Sequence, residues 1–407
     1  MKQIQGGVTA AKGFFASAAE ANLKYENRTD MALVFSEVPA VSAGTFTTNA
    51  VKAAPVRWDQ QLIRENRTAR AVVLNSGIAN ACTGKEGEQC NLEMAQAVAD
   101  ALSLSEKEVL TASTGVIGPQ LPMDRVRQGV GQLKERLSSG LQAGSDAAEA
   151  IMTTDTYRKE CAVCFEIDGK TVTIGGMAKG SGMIHPNMAT MLSVITTDAA
   201  VSKTLLQRAI SHAVTESFNQ ISVDRDTSTN DTVIVLANGE AKNEQITGDG
   251  ESYHAFCEAL KYVCISLARK LAADGEGATK LLTVEVRHVP EKEQARALAK
   301  SVISSNLVKT AVFGGDVNWG RILCAMGYSG VAFDPERVSL YIESELGALQ
   351  IVRDGAATDY SEEKAAEIFS AKEITCIADL NAGTEQAVAW GCDLTYEYVK
   401  INGDYRS

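Results

Sequence analysis

A glycine-rich bend leads into a threonine near the middle of the sequence. Residues 178–193 read Ala-Lys-Gly-Ser-Gly-Met-Ile-His-Pro-Asn-Met-Ala-Thr-Met-Leu-Ser, with Thr190 at the start of a β-rich run. A hydroxyl is a weak nucleophile unless a base lies beside it, and a chain cut just before the nucleophile provides its own α-amine as that base. Strained glycine-rich backbone would favour such a cut. On spacing alone, an ordinary strand threonine is the commoner interpretation.

A second segment rich in hydroxyls, residues 111–119, has two interpretations. It reads Thr-Ala-Ser-Thr-Gly-Val-Ile-Gly-Pro. As structure it is a strand that ends in a turn, which Gly118-Pro119 favours. As chemistry, its backbone N–H groups and the hydroxyl of Thr114 could hold an oxyanion. The two interpretations are compatible.

The polar run 223–232 precedes an apolar stretch and carries three acids and four hydroxyl side chains. Ser228 and Thr229 stand where a calcium loop would place an oxygen ligand and a glycine, and the closing glutamate is absent. A hydrogen-bonded loop that supports a site is therefore the favoured interpretation.

The remaining candidate motifs do not match a metal or nucleotide pattern. Cys161 and Cys164 have the spacing of half a zinc or redox site, but no second pair follows and the histidines lack ligand spacing around them. We interpret both as core cysteines. The glycines near residues 180 and 315 lack the spacing of a phosphate loop or a dinucleotide fingerprint. No metal and no cofactor is therefore expected.

Strand-like and helix-like segments alternate around these motifs. Strands are predicted over 31–36, 71–74, 160–167, 170–175, 191–196, 232–236, 281–288, 338–342 and 374–379. Helices are predicted over 92–102, 123–137, 203–218, 252–273, 291–304 and 361–369. Asp168-Gly169 is a two-residue hairpin signal. Hairpins with flanking helices predict mixed or antiparallel sheets covered by helices, rather than a doubly wound parallel sheet.

Composition excludes several classes of protein. The 407 residues are 45% hydrophobic and 22% charged, as in globular chains. A net charge of -12 without a basic cluster argues against a nucleic-acid partner. Nine scattered cysteines indicate a reducing compartment. Since no apolar stretch has the length of a membrane span and the first residues lack a signal-peptide pattern, we expect a cytoplasmic protein without a membrane partner.

The motifs together resemble those of the ornithine acetyltransferase family, the glutamate N-acetyltransferases of the cyclic arginine pathway. The resemblance rests on 179–184 and 187–192, and it is reinforced by 113–118, 226–232, 318–322, 45–49 and the closing segment 401–407. These segments follow the family's order along essentially the whole chain. Val317 replaces a proline that is frequent in the family, away from any expected catalytic atom.

The resemblance implies a fold and a processing event. The fold would be a four-layer α-β-β-α sandwich, within the mixed α/β class, of an N-terminal-nucleophile enzyme. The chain would cut itself between Ala189 and Thr190 into an α chain of residues 1–189 and a β chain of residues 190–407. The two chains would form one interleaved catalytic unit and assemble further into an α2β2 heterotetramer.

The resemblance also implies a reaction. Thr190 would carry an acetyl group from N2-acetyl-L-ornithine to L-glutamate in a ping-pong cycle, with its α-amine as base and with Thr114 and Gly115 as the oxyanion hole. The implied substrate contacts are Thr153, Lys179, Thr190, Glu276, Asn402 and Ser407. Lys179 suits a carboxylate and Glu276 suits an ammonium group.

Three questions remain open at the level of sequence. One is whether acetyl-CoA is a second donor. Another is whether the protein is an N-terminal-nucleophile aminopeptidase or amidohydrolase, in which water accepts the acyl group. The last is whether it is an amino-acid-binding protein without self-cleavage.

Overall fold

The computed structural model describes residues 1–65, 67–185 and 191–404. The chain forms two compact units, one of Met1–Asn219 with Asp226–Leu267, the other of Gln220–Arg225 with Ala268–Arg406. Within the described ranges, no helix has the length and apolar character that crossing a membrane requires.

The described residues form sixteen strands and eleven α-helices. The strands are β1 (Lys2–Ile4), β2 (Phe14–Ala19), β3 (Met31–Phe46), β4 (Thr68–Asn75), β5 (Val109–Ser113), β6 (Lys159–Ile167), β7 (Lys170–Lys179), β8 (Leu192–Thr197), β9 (Ile221–Ser222), β10 (Thr232–Ala237), β11 (Leu281–Val289), β12 (Ser339–Ser344), β13 (Gly347–Arg353), β14 (Ala356–Ala357), β15 (Glu373–Asp379) and β16 (Glu385–Cys392). The helices are α1 (Ala54–Arg64), α2 (Gly84–Leu102), α3 (Met123–Glu135), α4 (Leu141–Ala150), α5 (Lys203–Thr215), α6 (Glu251–Ala273), α7 (Lys292–Ile303), α8 (Asn306–Gly314), α9 (Trp319–Gly327), α10 (Glu362–Phe369) and α11 (Tyr396–Asp404).

The first unit is built on a mixed sheet in the order β1-β6-β7-β8-β10-β3-β4-β5, with β2 paired to the first half of β3. Alternate residues of β3 enter two separate cores. Met31 and Leu33 pack in a core with residues of α2 and α3, whereas Ala32 and Val34 pack in a core with residues of α4. Because both faces are covered there, the first five residues of this strand, MALVF, form a continuous apolar run.

Three strand ends in this sheet bring Lys179 and Leu192 close to the polar run 223–232. β7 and β8 are antiparallel, with Lys179 opposite Leu192. β8 and β10 are parallel, with Leu192 opposite Thr232. Three positions therefore lie at the same end of these neighbouring strands. They are the last residue of β7 and the residues just before β8 and β10.

The second unit contains a mixed sheet in the order β14-β13-β12-β15-β11-β16-β9. Leu282, Val284 and Val286 of β11 alternate into its hydrophobic core, to which residues of α7 and α10 also contribute. This alternation is the period of two that places every second side chain on one face of a strand.

The structure confirms the predicted class, a mixed α/β fold with two sheets and flanking helices. Every predicted strand and helix is present, and most ends differ by a few residues. The exceptions are β3, which ends ten residues later than predicted, and α2, which begins eight residues earlier. Asp168 and Gly169 have φ values of 49° and 71° and join β6 to β7 as the predicted hairpin. At α10, the Ser361 side chain accepts a hydrogen bond from the Lys364 amide.

Several elements were not predicted from the sequence. Among them are α4, whose sequence LQAGSDAAEA gives a weak apolar stripe, and α1, which begins at Ala54 directly before Pro55. Strands β2 and β16 were also missed. For β5, the interpretation of residues 111–119 as a strand that ends in a turn is confirmed, because the strand ends at Ser113.

Candidate functional site

A buried ionic cluster surrounds Lys179 at the end of β7. The Lys179 ammonium donates a hydrogen bond to the Thr153 hydroxyl (Nζ to Oγ1, 2.8 Å) and lies 3.8 Å from Oδ2 of Asp155. Lys159 donates to Oδ1 of Asp155 at 2.7 Å. Thr153, Asp155, Lys159 and Lys179 are called the lysine site below. Two of the predicted substrate residues, Thr153 and Lys179, are thus brought together.

Asp155 organises this cluster, although no sequence motif marks it. Its carboxylate also accepts hydrogen bonds from the Gly180 amide (2.7 Å) and from the Thr153 amide (3.1 Å). Its side chain is completely buried, and burial would raise the pKa. The charges of Lys179 and Lys159 and the hydrogen bonds together outweigh burial and lower the pKa of Asp155 to about 2. Asp155 is therefore ionised at neutral pH and holds Lys179 beside Thr153.

A second buried carboxyl group, that of Asp231, lies directly before β10 and contacts the residue that precedes β8. Oδ1 of Asp231 accepts a hydrogen bond from the Met191 amide at 3.1 Å, and the Asp231 carbonyl accepts one from the Thr47 amide at 3.0 Å. Asp231 is fully buried, and Oδ2 has no hydrogen-bond partner among the described residues. Burial raises the pKa of this group well above its usual range.

The loop before β10 links this region to the end of β5. The Asn230 side-chain amide donates to the carbonyl oxygens of Ala79 (2.6 Å) and Ser113 (2.8 Å). The Thr47 hydroxyl donates to the Ser228 carbonyl at 2.7 Å. These bonds confirm that this run is a hydrogen-bonded polar loop. Within the part of the chain that is described, no group of His, Cys, Asp or Glu side chains could hold a metal ion.

Thr114 and Gly115, the predicted oxyanion hole, follow directly after β5. The Thr114 amide donates to the Asn75 carbonyl at 3.0 Å and is therefore already occupied. A hydrogen bond from Thr114 to an oxyanion would therefore have to come from its hydroxyl. A hydrogen bond from Gly115 would have to come from its amide. Gly115 has a φ of 129°, and a Cβ there would lie 2.2 Å from the backbone of Gly77. Only glycine permits this close approach.

In the second unit, Glu276 and Asn402 form a direct pair. The Asn402 side-chain amide donates to Oε2 of Glu276 at 2.7 Å. Glu276 is 8% exposed, whereas Asn402 lies on the exposed side of α11. Glu276 and Asn402 are called the glutamate site below. Two more of the predicted substrate residues are thus in contact.

Residues that follow β16 fix the backbone around Glu276. The Thr395 hydroxyl donates to the Gly277 carbonyl at 2.7 Å. The buried Asp393 carboxylate accepts hydrogen bonds from the amides of Thr279 (2.8 Å) and Lys280 (3.1 Å). Sequence reasoning missed these supports because more than a hundred residues separate the two segments.

The other predicted site residues fall outside the described ranges. These are Ala189 and Thr190 at the expected cleavage position, and Ser407 at the end of the chain. The nine cysteines are free thiols. Cys161 on β6 is buried, as its interpretation as a core residue predicts, whereas Cys164 on the same strand is only half-buried.

The lysine site therefore lies in the first unit and the glutamate site in the second, both within a mixed α/β fold. A family model described as the ArgJ family matches residues 15–407. The chain therefore belongs to the ArgJ family.

Two full-length relatives agree with this assignment. A protein of Symbiobacterium thermophilum named arginine biosynthesis bifunctional protein ArgJ is 52% identical over the full length of both chains. A protein of the same name from Caldanaerobacter subterraneus is 48% identical, again over both full lengths. A solved structure described as ornithine acetyltransferase complexed with ornithine, from Mycobacterium tuberculosis, is 45% identical with a TM-score of 0.43. That match covers 47% of this chain and 99% of the solved one.

Proposed function

We propose that this protein transfers an acetyl group from N2-acetyl-L-ornithine to L-glutamate through an acetyl-Thr190 intermediate, giving L-ornithine and N-acetyl-L-glutamate. Membership of the ArgJ family, with full-length relatives named for arginine biosynthesis, supports an acyltransferase of that pathway. The strongest structural support is the lysine site, because a buried ammonium beside a hydroxyl suits the carboxylate that donor and acceptor both carry.

In the proposed recognition, each charged end of the substrate meets an opposite charge. Lys179 pairs with the carboxylate and Thr153 donates or accepts a hydrogen bond beside it. Glu276 receives an ammonium group, with Asn402 holding its carboxylate in place. Ser407 is a further contact in this assignment. Substrate specificity would then come from recognition of the charged groups of the substrate rather than from a large apolar pocket.

In the first half of the proposed reaction, Thr190 Oγ forms a bond to the acetyl carbonyl carbon and its proton passes to the α-amine of the same residue. The Thr114 hydroxyl and the Gly115 amide hold the oxyanion, each donor contributing about 3 kcal/mol. The amine then returns its proton to the leaving nitrogen as the amide bond breaks, and ornithine departs.

In the second half, the glutamate α-amine attacks the acetyl ester and gives up a proton. The ester C–O bond breaks and Thr190 Oγ regains a proton, which closes the cycle. A covalent intermediate lets two similar amino acids use one set of contacts in turn.

The mechanism requires a free α-amine on Thr190, so we propose that the chain cuts itself between Ala189 and Thr190. The pairing of β7 with β8 supports this, because backbone hydrogen bonds between the strands would hold both products together after a cut. We further propose that the resulting chains of residues 1–189 and 190–407 assemble as a cytoplasmic α2β2 heterotetramer that needs no cofactor.

A partition experiment tests the proposed reaction. Enzyme is incubated with N-acetylornithine, with and without glutamate, and the release of acetylglutamate and acetate is measured. We expect acetylglutamate to form faster than acetate, and Thr190→Ala to abolish both cleavage and transfer. Faster release of acetate would favour the amidohydrolase alternative, and transfer by Thr190→Ala would exclude this nucleophile. Acetyl-CoA with glutamate, in the absence of acetylornithine, shows whether a second donor is accepted.

A further inference from the structure

The two amino acids of the proposed reaction carry side chains of opposite charge. N-acetylornithine ends in an ammonium group, whereas glutamate ends in a second carboxylate. Lys179 suits the carboxylate that both share, and Glu276 suits the ammonium of the donor. Glu276 has the wrong charge for the side-chain carboxylate of the acceptor, because like charges repel. A separate cation is therefore needed to bind that carboxylate.

Arg28 is a cation whose contacts lead directly to the lysine site. Its guanidinium donates a hydrogen bond to the Met152 carbonyl (Nη2 to O, 2.6 Å), which belongs to the peptide bond that joins Met152 to Thr153. The N–H of the same peptide bond, on Thr153, donates to Asp155, and the Thr153 hydroxyl accepts the hydrogen bond from Lys179. Arg28 is thus one peptide unit away from the threonine that binds Lys179.

The separation of the two cations suits a dicarboxylate. The hydrogen bonds of 2.6 and 2.8 Å and the covalent geometry of residues 152 and 153 keep Arg28 Nη2 within about 11 Å of Lys179 Nζ. The carboxyl carbons of an extended glutamate are about 5 Å apart, and hydrogen bonds at both ends let it span cations up to about 12 Å apart. One glutamate is therefore long enough to contact Arg28 and Lys179 together.

The loop that carries Arg28 is fixed in place by buried hydrogen bonds. The buried Asp30 carboxylate accepts the amides of Ala21 (2.7 Å) and Leu23 (2.6 Å). The Arg28 guanidinium lies over the Tyr25 ring, 5.4 Å from its centroid, and Arg28 is only half-buried. A guanidinium that is held against an aromatic ring and still meets solvent can present its other N–H groups to a ligand with little further ordering.

The same loop also approaches the proposed oxyanion donors. A Cβ on Gly77 would lie 3.0 Å from Cβ of Lys24, and a Cβ on Gly115 would lie 2.2 Å from the Gly77 backbone. The loop therefore packs on Gly77, which in turn packs on Gly115. Arg28 thus belongs to a loop that adjoins both the lysine site and the segment of the proposed oxyanion hole.

We propose that Arg28 binds the side-chain carboxylate of the acceptor glutamate, while Lys179 binds its α-carboxylate, and that Arg28 thereby selects a dicarboxylate amino acid as acceptor. The planar fork of an arginine matches a carboxylate with two parallel hydrogen bonds. The ammonium of the donor is repelled by the same guanidinium, so the two substrates direct their side chains to different partners. This proposal rests on the proposed function, because it requires that the acetyl group passes to glutamate.

Arg70 provides a matched control. It is also half-buried, its Nε donates to the Ser36 carbonyl at 3.2 Å, and its guanidinium lies over the Phe35 ring, 5.1 Å from the centroid. Arg70 therefore shares the kind of environment that Arg28 has, but these contacts are with residues of β3 rather than with the residue next to Thr153.

The experiment measures initial rates of acetyl transfer with each substrate varied in turn, for wild type, Arg28→Gln and Arg70→Gln. In a ping-pong cycle, kcat/KM for N-acetylornithine reports the first half-reaction and kcat/KM for glutamate reports the second. Arg28→Gln removes the charge but keeps a side-chain N–H for the Met152 carbonyl. We expect its kcat/KM for glutamate to fall about 10–100-fold, the effect of a charge-assisted hydrogen bond, without a comparable fall for N-acetylornithine. Arg70→Gln should match wild type in both values.

A second acceptor distinguishes recognition of the carboxylate from a structural effect. Glutamine has the length of glutamate but lacks its side-chain charge. Wild type should prefer glutamate to glutamine by about 10–100-fold in kcat/KM, and Arg28→Gln should lose most of that preference. Displacement of the loop alone would lower both values and leave their ratio unchanged.

The outcomes separate the two proposals. A wild-type enzyme that transfers no acetyl group to glutamate would overturn the proposed function itself. If wild type does transfer it, an unchanged preference for glutamate over glutamine in Arg28→Gln would overturn only the role of Arg28, as would an equal fall of kcat/KM for donor and acceptor. If Arg28→Gln does not fold, Arg28→Lys replaces it, because lysine keeps the charge without the fork. A lower kcat/KM for glutamate alone then supports the role, and any other pattern contradicts it.

Discussion

The lysine site and the glutamate site hold their charged groups in different ways. In the lysine site, Lys179 lies on a strand and is paired with a completely buried carboxylate. In the glutamate site, Glu276 lies in a loop and is bound by Asn402, which is exposed on α11. The charges of the lysine site thus stabilise one another, whereas hydrogen bonds to Glu276 and to the backbone around it position the acid of the glutamate site. We therefore expect substitutions to have different consequences in the two sites.

The largest effect should follow from removing the carboxylate of the lysine site. Asp155→Asn leaves two buried ammonium groups without their shared counter-ion, and breaking such a pair costs about 3–5 kcal/mol of stability. Urea unfolding measures this loss. Asp155→Asn combined with Lys159→Met removes one of the two charges and should recover part of the stability while transferase activity stays low. An Asp155→Asn protein as stable as wild type would contradict the proposed organisation of this site.

The lysine site should also make the protein sensitive to acid. Because the pKa of Asp155 is lowered in the folded state to about 2 from 3.8, its stabilisation is present above about pH 4 and is lost as the pH falls towards 2. The shift corresponds to a loss on the order of 2 kcal/mol. Chemical unfolding at several pH values measures it, with Asp155→Asn as the reference. An identical acid response in both proteins would refute the contribution of Asp155.

A smaller effect, confined to catalysis, is expected at the glutamate site. Glu276→Gln keeps the shape of the side chain but removes its charge, so kcat/KM for N-acetylornithine should fall by about 10–100-fold, the value of a charge-assisted hydrogen bond. Stability should change little, in contrast to Asp155→Asn. Glu88→Gln, which alters only an exposed pair with Arg57, is the control. An unchanged kcat/KM for Glu276→Gln would show that Glu276 does not bind the substrate.

The smallest effect tests the backbone around Glu276. Gly277 and Gly315 have nearly equal φ values, 69° and 70°, but only at Gly277 would a Cβ meet backbone, 2.8 Å from the Tyr398 nitrogen. Alanine at either position should cost about 1 kcal/mol through backbone strain. Only Gly277→Ala should also raise KM, because it displaces Glu276 from Asn402. Equal KM values in the two variants would show that substrate binding does not depend on the backbone conformation at Gly277.

The sequence predicted most of the elements that are long and strongly patterned, and it predicted site residues only through the family resemblance. Lys179 and Thr153 belong to that resemblance, and the structure shows that they touch. Asp155 could not be recognised, because its role arises only when β6 and β7 pair and bring Lys179 and Gly180 to it. Asp393 was missed for a similar reason, since its partners lie far away in the sequence.

The prediction for Thr114 was refined rather than replaced by the structure. The sequence suggested both its backbone and its hydroxyl as oxyanion donors, but the Asn75 carbonyl occupies its amide. Hydrogen bonds between loops depend on how the strands are ordered in the sheet, and no local pattern encodes that order.

The most direct test of the acetyl-Thr190 intermediate is the intact mass of the purified protein before and after exposure to N-acetylornithine. We predict two chains, residues 1–189 and residues 190–407. The second should gain the mass of one acetyl group, localised to its N-terminal threonine, and should lose it when glutamate is added. A single uncut chain, or a cut enzyme that turns over substrate without ever carrying an acetyl group on Thr190, would contradict the proposed mechanism.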